Sequence, residues 1–95
     1  MQDDDFEWDD DKAAANLRDH RVSFEQAAFA FSDPFAVEWI DEREAYVEER
    51  YVLLGLASGQ VLTVVYTEQG DRIRIISAWR ATRHERDYYY RQNAP

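Results

Sequence analysis

Arginines near the end of the chain have the types and spacing expected of an anion-binding surface. In the segment Asp71–Ser77 they alternate with isoleucines, and side chains alternate between the two faces of a β-strand. If Ile73 and Ile75 pack against helices, the arginines project from the opposite, open face. One more arginine follows just past the strand, and another lies near the first turn of the last predicted helix, where free N–H groups favour anions. The four are Arg72, Arg74, Arg80 and Arg83. The alternative is an ordinary solvated face with cross-strand ion pairs to Glu68 and other acids.

A second group lies on the first predicted helix. Lys12, Asn16 and His20 are spaced i, i+4 and i+8, which places them along one stripe of the helix. His20 is the natural candidate for proton transfer near neutral pH. Its alternative is a histidine favoured at a helix C-terminus by the helix dipole, and spacing alone favours that alternative. His84, in an arginine-rich turn, is typical of a solvated or phosphate-facing surface.

Three consecutive tyrosines, Tyr88–Tyr90, fall on the last predicted helix. Such side chains can stack on nucleobases. Their more common use is helix packing, with one or two tyrosines buried and the third exposed.

Residue content excludes several kinds of site. The chain has no cysteine, which rules out a disulfide scaffold, a zinc ribbon and a thiol nucleophile. Two distant histidines and scattered acids lack metal-ligand spacing, so no metal or cofactor is expected. The three glycines are isolated, so there is no glycine-rich phosphate loop. No apolar run approaches about 18 residues, and the acidic start is unlike a signal peptide, so we expect a cytoplasmic protein without membrane contact.

The formal net charge of −9 speaks against a nucleic-acid ligand until its distribution is considered. Residues 1–12 hold seven acids and one lysine, which contribute −6 of this charge. Residues 69–95 hold six arginines and three acids, a local charge of +3. Ten of the 11 basic residues are arginine, which makes planar bidentate contacts to phosphate or carboxylate. The charge distribution is therefore compatible with phosphate binding at the arginine-rich end.

The 95 residues predict a single domain, 1–95, with a flexible acidic leader at residues 1–5. Asp9 is the expected N-cap of a first helix that ends at His20, and Ser23 with Gln26 predicts a capping box at the start of a second helix. Asp33-Pro34 ends the second helix. A third helix is predicted over residues 81–92, with a capping box formed by Thr82 and Glu85.

Between the second and third helices the pattern is that of strands. Residues 35–40, 51–56, 61–67 and 72–77 are strand-like, with turns at Ser58-Gly59 and at 69–71. This order predicts an antiparallel four-stranded meander. Phe6-Glu7-Trp8 is either an edge strand or an N-terminal anchor. The predicted fold class is α+β, with two N-terminal helices, the sheet and a C-terminal helix.

Segments spread over residues 6–90 share the pattern of one protein family. They are Phe6-Glu7-Trp8-Asp9, Lys12 to Leu17, Val22 to Glu25 with Ala27, Phe31, Asp33-Pro34, Glu49-Arg50, Gly55, Val64 to Glu68, Arg74 to Ala78, Arg80 to Arg83, and Glu85-Arg86. In this order they resemble the BrnT toxins. That family implies a RelE-like ribonuclease fold and the toxin half of a bacterial type II toxin–antitoxin pair.

The resemblance implies metal-independent RNA cleavage that inhibits translation, with the 2′-hydroxyl attacking the adjacent phosphate. It also implies a ribbon-helix-helix antitoxin of the BrnA type, a heterotetrameric complex, and DNA contact only through the antitoxin. Cleavage needs a proton acceptor, a proton donor and cations that stabilise the phosphorane. On this reading His20 exchanges the proton. Catalytic stabilisation falls to Arg50, Arg72, Arg74 and Arg80, and substrate binding to Lys12, Arg83 and Arg86.

Two departures from the family pattern support a second hypothesis. Asp19-His20-Arg21 stands where the family usually reads Lys-His-Gly, and Trp79 stands where an arginine is common. Both changes remove positive charge beside the expected site. The alternative function is therefore a catalytically weakened, toxin-like module that mainly binds an antitoxin and helps to autoregulate its operon.

Overall fold

Helices cover both faces of one β-sheet in the computed structural model, which describes residues 1–43, 45 and 47–95. The described strands are β1 (Phe6–Glu7), β2 (Val37–Ile40), β3 (Tyr51–Ala57), β4 (Gln60–Gln69) and β5 (Arg72–Arg80). The described helices are α1 (Asp10–His20), α2 (Phe24–Ala30) and α3 (Arg83–Gln92). This confirms the α+β class and the predicted order of helices and strands. None of these helices is long and apolar enough to cross a membrane.

The sheet is mixed and five-stranded, with the order β1-β5-β4-β3-β2. Strands β2 to β5 pair antiparallel as the predicted meander, whereas β1 pairs parallel with β5, placing Phe6 opposite Ile73 and Glu7 opposite Arg74. The prediction of four antiparallel strands was therefore wrong at this edge. A two-residue strand is too short to show an alternating pattern, and its partner lies more than 60 residues away in the sequence.

The helix boundaries follow the capping residues that the sequence predicted. The Asp9 side chain accepts a hydrogen bond from the Lys12 amide, at 3.0 Å, at the start of α1. Reciprocal capping boxes open the other two helices, formed by Ser23 with Gln26 and by Thr82 with Glu85. These bonds satisfy backbone N–H groups that the first helical turn leaves without partners.

We call the sheet face under α1 and α2 the core face, and the opposite face the α3 face. Most of the buried apolar side chains lie between the core face and these helices, including Phe24 of α2 and, from the sheet, Leu53, Leu62, Val64, Ile75 and Ala78. A smaller cluster of Leu54, Val61 and Tyr89 holds α3 on the other side. Helix α2 packs closely against β3 at Gly55. A Cβ atom at this position would lie only 2.4 Å from the Ala30 carbonyl oxygen.

Strand β5 contains an extra residue that reverses its alternation. Tyr66 pairs with Ile75 and Val65 pairs with Ser77, so Ile76 has no partner of its own. An inserted residue of this kind is a β-bulge. Ile73 and Ile75 pack into the core as predicted. Beyond the bulge, Arg80 pairs with Leu62, which belongs to the core face.

The first five residues, predicted as a flexible acidic leader, fold back on β1. Gln2 forms an isolated antiparallel bridge with Glu7, and the Asp3 amide donates to the Phe6 carbonyl at 2.9 Å. The Asp3 carboxylate accepts hydrogen bonds from the amides of Asp5 and Phe6, at 2.9 and 2.7 Å. These backbone hydrogen bonds lower the pKa of Asp3.

Candidate active site

Three elements of secondary structure, α1, β5 and α3, meet at Trp79. The His20 ring, at the end of α1, lies 6.1 Å from the indole between ring centroids. The indole Nε1 donates to Glu85 Oε1, in the first turn of α3, at 3.2 Å. Trp79 itself is near the end of β5. We call this junction of α1, β5 and α3 the Trp79 corner.

Asn16 fixes the position of α1 beside β5. Its amide Nδ2 donates to the Ala78 carbonyl at 2.8 Å and to the Val22 carbonyl at 2.9 Å. Its Oδ1 accepts from the Ala78 amide at 3.1 Å. The Asn16 side chain thus provides hydrogen-bond partners for the Ala78 amide and carbonyl at an edge of β5 that β1 does not reach. Asn16 is buried, and four residues later the same helix carries His20 to the Trp79 corner.

Three exposed arginines surround the end of β5 and the start of α3: Arg80, Arg83 and Arg86. Within the described residues, none of them forms an ion pair with a carboxylate. Arg83 and Arg86 are three residues apart on α3 and are therefore neighbours on its surface. These side chains remain available to an anionic ligand.

Arg72 and Arg74 have different surroundings. Arg74 Nη1 lies 2.8 Å from Glu7 Oε2, and Arg72 Nε donates to the Asp3 carbonyl at 2.7 Å. Both arginines thus bind the N-terminal segment of the chain rather than Glu68. The bulge at Ile76 places both arginines on the α3 face, whereas Arg80 is registered to the core face. The expected single surface of Arg72, Arg74 and Arg80 is not formed.

Arg50 and Lys12 also lie away from the Trp79 corner. Arg50 immediately precedes β3, next to Tyr51, which pairs with Tyr66. Along β4, Tyr66 lies three residues, or about 10 Å, from Thr63, the residue that pairs with Trp79. Lys12 is eight residues, or about 12 Å, before His20 on α1. Of the predicted site residues, His20 contacts Trp79, whereas Arg80, Arg83 and Arg86 lie on the adjoining ends of β5 and α3.

A groove on the α3 face adjoins the Trp79 corner. Its larger part, about 450 Å³, is lined by Trp39, Ile40, Asp41, Glu42, Arg43, Val52, Thr63, Trp79 and Glu85. In its wall the buried Asp41 carboxylate accepts from Arg43 Nε and Nη2, at 2.8 and 2.7 Å. Sequence reasoning missed Trp39 and Glu85 as site residues. Glu85 was recognised only as a capping residue, and Trp39 only as part of a strand.

Asp33 holds α3 in place over the sheet. Its Oδ2 accepts from Tyr89 Oη at 2.5 Å and from the Leu56 amide at 2.8 Å, and its Oδ1 accepts from the Phe35 amide at 2.9 Å. Partial burial opposes ionisation, but the three hydrogen bonds outweigh it and lower the pKa of Asp33. Burial and the bond to Asp33 raise the pKa of Tyr89.

The sequence pattern of one family, described as the ribonuclease toxin BrnT of type II toxin–antitoxin systems, matches residues 8–85. The chain belongs to the BrnT family. A comparison with curated proteins finds no significant match. The family match runs from Trp8 to Glu85, and so includes all of α1, all of β5 and the first turn of α3. The Trp79 corner lies within the part of the chain that defines the family.

The residues that the resemblance marks as departures have visible contacts. Arg21 adopts the left-handed conformation with φ 59° and caps α1 through its amide, which donates to the Leu17 carbonyl. Asp19 pairs with Arg18 at 3.1 Å on the surface. Trp79 connects His20 to Glu85 through a ring contact and a hydrogen bond.

The described residues contain no group of three or more histidine, cysteine, aspartate or glutamate side chains that could hold a metal ion. Trp79 contacts a histidine and a carboxylate, and three exposed arginines lie on the adjoining ends of β5 and α3. Such a set can exchange protons and stabilise negative charge on a phosphate.

Proposed function

We propose that this BrnT-family toxin cleaves RNA without a metal ion, at the Trp79 corner, and thereby inhibits translation. The RNA 2′-oxygen attacks the adjacent phosphorus while the bond from phosphorus to the 5′-oxygen breaks. A base takes the proton of the 2′-hydroxyl, and an acid supplies a proton to the leaving 5′-oxygen. The products are a 2′,3′-cyclic phosphate and a free 5′-hydroxyl.

The observation that carries this proposal is the contact of Trp79 with both His20 and Glu85, next to the exposed Arg80, which follows Trp79 in β5, and Arg83, which begins α3. The arginines here have no ion-pair partner among the described residues, so binding a phosphate requires no existing ion pair to break. Their charge would stabilise the extra negative charge of the phosphorane. Arg86, one turn further along α3, extends the positive surface for a neighbouring phosphate.

His20 and Glu85 are the proposed proton-transfer pair. The two side chains contact Trp79, one by its ring and one by its carboxylate. Glu85 Oε1 accepts from the Thr82 amide and from the Trp79 indole, which leaves Oε2 for the substrate. Glu85 would act as the base and His20 as the acid. Arg72 and Arg74 hold the N-terminal segment, and Arg50 would contact RNA further along the α3 face.

The glutamate can be tested without disturbing its helix. A glutamine at N3 also completes a capping box, so Glu85→Gln keeps the bonds to Thr82 and Trp79 while removing the base. We expect RNA cleavage by the purified chain in EDTA to yield 2′,3′-cyclic phosphate ends. Glu85→Gln and His20→Asn should each lower the rate about 100-fold or more. Wild-type rates in both variants, or loss of cleavage in EDTA alone, would contradict the mechanism.

A type II toxin has an antitoxin partner, and we propose one with a ribbon-helix-helix fold that forms a heterotetramer with the toxin in the cytoplasm. DNA contact would occur only through that antitoxin. The proposal predicts that a short ribbon-helix-helix gene lies next to this one. Co-expression of its product should relieve growth arrest, and light scattering should give a two-to-two mass. A different mass, or continued arrest, would count against this partner.

The alternative function is a toxin-like module that binds the antitoxin but cleaves RNA weakly. The contacts of Asp3 and Glu7 with Arg72 and Arg74 support it, because they occupy cations that RNA would otherwise meet. Full growth at verified expression, together with intact RNA after incubation with the purified chain, would favour this alternative over the active ribonuclease.

A further inference from the structure

A second pocket opens between the edge strand β2 and helix α3. It has a volume of about 330 Å³ and is lined by Trp39, Leu54, His84, Glu85 and Tyr88. The lining combines apolar and aromatic walls with two polar side chains. This composition and size are typical of sites for small planar ligands.

Trp39 provides a flat surface that is held in one orientation. Its ring centroid lies 5.8 Å from that of Tyr88, and the two ring planes are nearly perpendicular, at 79°. About 40% of Trp39 is nevertheless exposed. An aromatic side chain supported by an edge contact and open on its remaining surface suits the stacking of a planar ring.

Exposed arginines flank the lining residues along α3 and indicate the kind of ligand. Arg83 and Arg86 are exposed and form no ion pair within the described residues. His84 and Glu85, in the lining, can exchange hydrogen bonds with ring nitrogens and exocyclic groups. A planar heterocycle that carries a phosphate matches this arrangement, whereas an acidic or purely apolar peptide matches only part of it.

We infer that this pocket binds one nucleobase of single-stranded RNA, stacked on Trp39, with His84 at the edge of the base. The pocket adjoins the Trp79 corner, because Glu85 and Trp39 line both this pocket and the larger groove. The bound base would belong to a nucleotide beside the cleaved phosphate, and its contacts would set the sequence preference of cleavage. This inference rests on the proposed ribonuclease function for its choice of RNA.

The stacking can be measured without cleavage. A fluorescein-labelled RNA octamer in which every 2′-hydroxyl is methylated has no free 2′-hydroxyl to attack the phosphate and cannot form the cyclic phosphate. We expect the full chain to bind it, with fluorescence anisotropy reporting the affinity. Stacking contributes about 1–3 kcal/mol per base, so Trp39→Leu should weaken binding about 5- to 150-fold. Trp39→Phe should retain most of the affinity.

Phe35→Leu is the matched control, since Phe35 is 61% exposed and lies outside the pocket. It should bind the octamer as the wild type does. Wild-type affinity in Trp39→Leu, or no binding by the wild type, would overturn the nucleobase pocket. If Trp39→Leu binds the octamer and cleaves RNA as the wild type does, the nucleobase pocket is contradicted and the ribonuclease function is supported. If binding depends on Trp39 but the wild type leaves RNA intact, the pocket is supported and the ribonuclease function is contradicted.

Discussion

Replacement of Asn16 tests how α1 is held against the sheet edge. Asn16→Ala removes three hydrogen bonds to backbone groups, namely the Val22 carbonyl and the carbonyl and amide of Ala78, and leaves those buried groups without their partner. At about 1 kcal/mol for each bond, the free energy of unfolding should fall by about 3 kcal/mol. This is a large share of the roughly 5–14 kcal/mol expected for a domain of this length.

The assay is urea unfolding followed by tryptophan fluorescence at pH 7. Asn93→Ala is the matched control, because this exposed asparagine donates to the carbonyls of Phe35 and Tyr89 near the end of α3. We expect it to cost less than about 1 kcal/mol. An Asn16→Ala cost below about 1 kcal/mol, or one no larger than that of Asn93→Ala, would refute the structural role of Asn16.

Asn16→Asp adds a pH dependence with a defined sign. The new carboxylate would face two carbonyl oxygens in a buried site, which favours its protonated form and raises its folded pKa above the ordinary value of about 3.9. The stability that protonation confers is therefore present at low pH and lost as pH rises through the folded pKa. The deficit of Asn16→Asp relative to wild type should grow from pH 4 to pH 7. A deficit that does not change with pH would contradict this reasoning.

Three further predictions concern the elements around the site. Gly55→Ala should destabilise the fold by about 2 kcal/mol or more, since the added Cβ atom would clash with the Ala30 carbonyl oxygen. Thermal unfolding measures this loss, and an unchanged melting temperature would disprove it. Arg21→Gly should stabilise the chain by about 1 kcal/mol, because glycine adopts the left-handed conformation without steric cost; equal or lower stability in urea would disprove it. Asp33→Asn should lower the free energy of unfolding at neutral pH. The difference from wild type should shrink as acid protonates Asp33, because a carboxylate with a lowered pKa stabilises the fold above about pH 4 and loses this effect at lower pH. A gap that persists at pH 2 in urea titrations would contradict that assignment.

Local signals predicted most of the secondary structure. Side chains that cap a helix act over three residues, so Asp9, Ser23 and Thr82 could be recognised from spacing alone, and all three caps were confirmed. The turn at Ser58-Gly59 was also predicted from local residue types. In the structure both residues adopt positive φ angles, of 51° and 80°. The partner of β1 was not predictable, since parallel pairing depends on contacts with the distant strand β5.

The candidate site was harder to predict because one residue changes its geometry. Arg74 and Arg80 are six residues apart and would share a face in a regular strand. The extra residue at Ile76 reverses that alternation, and two adjacent isoleucines carry no sign of a bulge. The convergence of His20, Trp79 and Glu85 depends on how α1 and α3 pack against the end of β5, which no local pattern encodes. The RelE-like character of the fold stays a prediction.

Cleavage of RNA by purified Arg80→Ala, compared with cleavage by purified Arg91→Ala, tests whether the active site lies at Trp79. Arg91 lies eight residues, or about 12 Å, from Arg83 along α3, away from the Trp79 corner. The account predicts that Arg80→Ala keeps the wild-type unfolding curve but cleaves about 100-fold or more slowly, while Arg91→Ala cleaves at close to the wild-type rate. Equal and undiminished cleavage by both variants would contradict the placement of the active site at Trp79.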